Sequence, residues 1–138
     1  MSIMLDHLIV PCQDRVSAAR QLAMILGVPW AESAAIGPFS PVFVSDQLTL
    51  DFDQWSESVP TLHYAFQVDA AAFDGILSRL RACGIPYRSL PHGDQDQKVN
   101  EALGGRLVYW SEPAGHIWEA LTVSYARQGF RQVPNGDA

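Results

Sequence analysis

At 138 residues, 48% of them apolar and 17% charged, the chain is long enough for one buried core, or for two small halves that share one. A net charge of −6, with nine Lys and Arg scattered singly, argues against a nucleic-acid partner. No apolar run approaches the roughly 20 residues that cross a bilayer. The opening Met1-Ser-Ile-Met-Leu-Asp6-His7 lacks the basic-then-apolar order of a secretory signal, so a cytoplasmic protein is expected. Cys12 and Cys83 have no CxxC partner and read as reduced thiols.

In chain order, the first expected strand is Leu5-Asp-His-Leu-Ile-Val10. A helix follows from about Asp14 to Leu26, with Val16, Ala19, Ala23 and Leu26 at helical spacing. Asp14 is suited to cap its start and Gly27 to end it, ahead of the exit Gly27-Val28-Pro29-Trp30. Then comes a hairpin: Pro41 to Val44, a turn at Ser45-Asp-Gln47, and Leu48 to Phe52. The same order returns. Leu62 to Val68 is a strand, and Ala70 to Cys83 a helix with Phe73, Ile76, Leu77 and Leu80 on one face and Asp69 as its cap. The exit is Gly84-Ile85-Pro86-Tyr87, and the closing hairpin pairs Arg106 to Trp110 with His116 to Val123 around Ser111 to Gly115. Cys83, at the helix end, reads as a small buried apolar residue.

His7 and His63 are 56 residues apart, Gly27 and Gly84 are 57 apart, and Asp51 and Glu119 are 68 apart. The later increase falls where the second half carries the polar loop Pro91 to Gly105. Two tandem βαβββ modules are therefore expected, about 3–55 and 61–125, in one α+β domain over 1–125 with a polar tail over 126–138. The alternative is an ordinary α+β sandwich whose halves look alike because strand–helix–hairpin units are common. The loop's segment from His92 to Asn100 reads as a lid offering His92, Gln97 or Asn100, or as a surface excursion.

The repeat pairs polar residues at equivalent places: His7 and His63 on each first strand, Asp51 and Glu119 on each last strand. On the two-residue period His7 shares a face with Leu5 and Ile9, and Glu119 with Ile117, Leu121 and Val123. A carboxylate on such a face is costly unless paired or bound to metal. Two imidazoles with one or two carboxylates suit Fe(II), Mn(II), Ni(II) or Zn(II). Asp51 shares its face with Thr49 and Asp53, so it is either a fourth ligand or part of the solvated side of an edge strand. Arg106 and Tyr109 are candidates for an anionic substrate, although Arg106 at the strand's start also reads as solvated. His92 and His116, in a loop and a turn, read as surface histidines, with His92 a candidate acid or base if its loop folds over the site.

The chain resembles the glyoxalase/bleomycin-resistance/dioxygenase superfamily, the vicinal oxygen chelate fold. The resemblance rests on Leu5-Asp6-His7-Leu8-Ile9-Val10 and on the closing run from Gly105 through Glu112-Pro113-Ala-Gly115-His116 to Glu119. It covers roughly residues 3 to 125. Where many members carry Phe-Tyr in the first helix, this chain has Gln21-Leu22. The resemblance implies curved mixed sheets around a cleft, and a divalent metal (Fe, Mn, Ni or Zn) on His7, His63 and Glu119, with Asp51 at a position that is acidic in glyoxalase I-like members. It further implies an enzyme that chelates two oxygens of a small substrate, with Glu119 free to act as base. Lyase or isomerase chemistry, ring-opening dioxygenation and thiol transfer all fit that scheme. A bleomycin-resistance-like binding protein is the non-catalytic alternative. A homodimer is expected, with His7 of one chain completing a site on the other.

Overall fold

The structure, a computed structural model, describes residues 2–129; the expected tail beyond Gly129 lies outside them. The elements run β1 (His7–Cys12), α1 (Arg15–Leu26), β2 (Phe39–Phe43), β3 (Thr49–Gln54), β4 (His63–Gln67), α2 (Ala70–Ala82), β5 (Tyr87–Arg88), β6 (Leu107–Ser111) and β7 (Ile117–Leu121). They form an α+β fold of two mixed sheets, ordered β1-β3-β2 and β4-β7-β6-β5. In each sheet the first strand lies parallel to the last, and the hairpin is antiparallel. The two halves correspond, with one difference. The strand after α2 is β5, whereas its counterpart after α1 shrinks to a single bridge between Trp30 and Val42.

Local chemistry sets the helix limits. The Asp14 side chain accepts from the Ser17 amide, and Gly27 closes α1 in the left-handed region at φ 71°. Asp69 caps α2 in the same way through the Ala72 amide. Helix α1 buries Ala19, Leu22, Ala23 and Ile25, and α2 buries Phe73, Ile76, Leu77 and Leu80, in one core that spans both halves. Trp118 lies in that core. It stacks on Tyr64 and Phe66 from its own half and meets Phe52 of the first half at 6.2 Å between ring centroids.

His116 joins the halves. It is fully buried, accepts from the Leu62 amide at Nδ1 (3.0 Å), and its Nε2 lies 2.6 Å from the Pro11 carbonyl, so the expectation of a surface histidine is overturned. The turn leading to it consumes the ring in a contact 105 residues away in sequence, which no local pattern announces. Beside it Glu112 is 6% exposed, with neither carboxylate oxygen hydrogen-bonded among the described residues. Burial raises its pKa. The folded chain therefore holds a proton more tightly than the unfolded chain, and stability falls as pH rises from the ordinary carboxylate range through the raised value. Glu112→Gln should raise Tm at pH 8 by about 3 °C and leave it unchanged at pH 4, in paired melts. An equal gain at both pH values would show that ionisation is not the cause.

The two thiols differ. Cys83 is exposed, against expectation, because it falls one residue past α2 with Gly84 turning the chain away at φ 65°. Cys12 is buried, and burial pushes its thiol up to about 12. A disulfide-exchange dye at pH 8 should titrate one thiol in native protein and a second only after denaturation. Rapid reaction of both in native protein would contradict this burial.

Candidate metal centre

Strand β7 is flanked on both sides, by β4 and β6. Its alternate residues Trp118 and Ala120 enter the core, which leaves Ile117, Glu119 and Leu121 on the other face. Glu119 is 0% exposed. Tyr109 of β6 and Ala65 of β4 lie directly opposite it, while His63 stands opposite Ile117. From there His63 Nε2 comes to 2.9 Å from Glu119 Oε1. The Tyr125 hydroxyl spans the carboxylate, 2.9 Å from Oε1 and 3.0 Å from Oε2. The Tyr109 ring sits edge-on to His63 at 5.8 Å. Burial raises the Tyr109 pKa well above that of a free phenol, and the neighbouring Tyr125 hydroxyl and Glu119 add to it. Tyr109 therefore keeps its proton at neutral pH.

On the first sheet the register repeats. His63 faces Ile117 with Glu119 two residues on, and His7 faces Thr49 with Asp51 two residues on. His7 is exposed, and its Nδ1 lies 2.7 Å from Asp6 Oδ2. That hydrogen bond is the main reason its pKa is raised, with Asp51 contributing through its charge. Asp51 lies on the central strand of its sheet, so the edge-strand reading of that stretch does not hold.

The four residues do not meet within one chain. Among the described residues no three His, Cys, Asp or Glu side chains come together as a metal cluster. The expected set divides into His7 with Asp51 and His63 with Glu119, because the halves meet through α1, α2 and the core behind the sheets. The opposite faces are exposed along β1 and β4, while Tyr125 covers Glu119 on β7. Leu5 (61%), Ile9 (41%) and Phe43 (42%) are exposed on the His7 side, as are His63, Ala65 and Gln67 on the other. The donor types suit a metal nonetheless. A buried carboxylate and an imidazole nitrogen face each other on an otherwise apolar wall of Leu107, Ile117 and Leu121.

Of the expected substrate contacts, Tyr109 lies in this wall and Arg106 does not. Arg106 has the opposite parity to Tyr109, so its guanidinium reaches α2, where it pairs with Asp74 and lies 4.4 Å over the Phe73 ring. His92 is exposed in its loop. That loop is tied down where a lid would swing: Asp96 accepts from the Ser89 amide, Gln97 bonds Tyr87 through its amide and side chain, and Asn100 pairs with Leu107. Sequence reasoning missed Tyr125 and Arg88. Tyr125 continues the Glu119, Leu121, Val123 alternation past the strand's end, a signal that was available. Arg88 is 4% exposed and stands opposite Tyr109, one strand farther from Glu119.

No family model and no curated protein matches the chain. Solved structures do. It shares 41% identity with oxidase ChaP-H1 at a TM-score of 0.81, over 91% of this chain and 99% of that one. With oxidase ChaP-H2 it shares 36% identity at a TM-score of 0.83, over 91% and 98%. A fosfomycin resistance protein, FosX, from Listeria monocytogenes, complexed with Mn(II) and sulfate, has the same fold at 17% identity and a TM-score of 0.62, over 91% and 94%. The chain belongs to the vicinal oxygen chelate superfamily. Among the described residues no helix is long and apolar enough to cross a membrane.

Proposed function

We propose that this protein is a metal-dependent oxidase acting on a small oxygen-rich molecule, and that each site is built from two chains. His63 and Glu119 come from one copy and His7 from the other, with Asp51 beside His7 in position to offer a fourth donor. One observation carries the reading: two half-sites in identical register, each on the sheet face turned away from the shared core, neither sufficient alone among the described residues. The oxidase names of the 41% and 36% identical relatives favour oxidation over isomerisation or thiol transfer. They also favour redox-active Fe(II) or Mn(II) over Zn(II).

Two imidazoles and a carboxylate leave coordination positions open, and a metal there would bind two vicinal substrate oxygens and stabilise their charge. The chain's own residues supply the setting. Tyr125 orients the Glu119 carboxylate, and Tyr109 holds its proton beside it as a hydrogen-bond donor. Leu107, Ile117 and Leu121 keep water from the wall. Glu119 could take a substrate hydroxyl proton, the base role expected of it. Protein purified without chelator should carry about one transition metal per chain, measured by elemental analysis, and His63→Ala and Glu119→Ala should each lose most of it. Full metal content in both variants would place the site elsewhere.

A further inference from the structure

Among the described residues Arg88 is a cation without an anion. It lies on β5 in the cross-strand row Arg88, Tyr109, Glu119, Ala65, so it shares the face of the candidate metal centre. Two strand spacings separate it from Glu119, about 10 Å. Its partners are neutral: Nε and Nη2 donate to the Pro91 carbonyl at 3.1 and 2.8 Å, and Nη2 also donates to Ser111 Oγ at 3.0 Å. Nη1 is buried with no hydrogen-bond partner among the described residues. Burial alone lowers its pKa, with no carboxylate acting on it. A buried guanidinium in this state carries a desolvation cost that an opposing anion would offset. The protein as a whole is acidic, so bulk electrostatics would not hold an anion there.

We propose that Arg88 is the oxyanion-binding residue of the site, so that the substrate presents vicinal oxygens to the metal donors and a carboxylate to Arg88. The planar fork matches a carboxylate through two parallel N–H donors. Pro91 and the exposed His92 to Gln95 lie between the loop's anchors at Ser89 and Asp96, so the Pro91 carbonyl can give way to the stronger acceptor while those anchors hold. Ser111 stands two residues from Tyr109 on the same face and holds Nη2 in place through the exchange. This inference names the substrate class for the site proposed above and rests on that reading.

Two probes test it by calorimetry on Mn(II)-loaded protein: catechol, and protocatechuate, a catechol with a carboxylate on the far side of the ring. Wild type should bind protocatechuate on the order of tenfold to a hundredfold more tightly. Arg88→Lys, which keeps the charge and loses the fork, should lose most of that preference, and Arg88→Met all of it. If the Met variant does not fold, the Lys variant decides. Equal affinities in wild type, with catechol still bound, overturn the oxyanion site and leave the metal reading intact. A protein that takes up no metal overturns the metal reading instead. The oxyanion site then stands only if metal-free wild type still prefers protocatechuate and Arg88→Lys does not.

Discussion

An equal mixture of His7→Ala and Glu119→Ala protein, unfolded and refolded together, should regain about a quarter of the wild-type metal sites. Each variant alone should have almost none. Random pairing makes half the dimers mixed. Each mixed dimer has one site with every ligand intact, and one lacking both His7 and Glu119. The expectation follows from the geometry of a single chain, in which His7 and Asp51 share the outer face of one sheet and His63 and Glu119 that of the other. Metal content of the refolded mixture, read beside its mass by light scattering, decides the matter. No recovery in a mixture that is demonstrably dimeric would mean that the half-sites do not combine across chains. A monomer that binds metal fully would count against the shared site altogether.

Tyr125→Phe should weaken metal binding by about tenfold to a hundredfold while changing Tm little. The substitution removes one hydroxyl that touches both Glu119 oxygens, at 2.9 and 3.0 Å, and keeps the ring. Without it the carboxylate keeps its contact with His63 but loses the hydroxyl that bridges its two oxygens, so part of the free energy of metal binding goes into ordering the ligand. Titration with Mn(II), followed by the loss of free-ion paramagnetic signal, gives the affinity directly. An unchanged affinity would confine the Tyr125 contact to the metal-free protein.

Much of this was legible in the residues, and for identifiable reasons. Caps, glycine stops and the spacing of Phe73, Ile76, Leu77 and Leu80 act locally, so both helices could be placed to within a residue or so. The duplication made four polar residues stand out that would be unremarkable singly, and the structure puts them in matching register. Long-range pairing was not legible. Nothing near His116 reveals that its ring reaches Pro11, and nothing near Arg106 reveals that Asp74 awaits it. Which faces of the two sheets meet depends on how the helices pack, so the division of the ligands into pairs was hidden as well. Arg88 was missed because a charged residue after Pro86-Tyr87 looks like the start of a loop. Its burial depends on β6 arriving alongside and on Pro91 folding back over the guanidinium.

The strand orders also carry a consequence for biosynthesis. In each sheet the strand made last is inserted between two made earlier: β3 between β1 and β2, β7 between β4 and β6. By the time Gln54 leaves the ribosome, the first half has every strand it needs. The second waits somewhat longer: β4, like β1 before β3, has no partner in its sheet until its last strand, Ile117–Leu121, emerges, and only the short β5–β6 pairing can form before then. For more than fifty residues of synthesis His63 therefore rides on a lone edge. The segment that finally covers it also delivers Glu119, so closing the sheet and assembling the half-site are a single event.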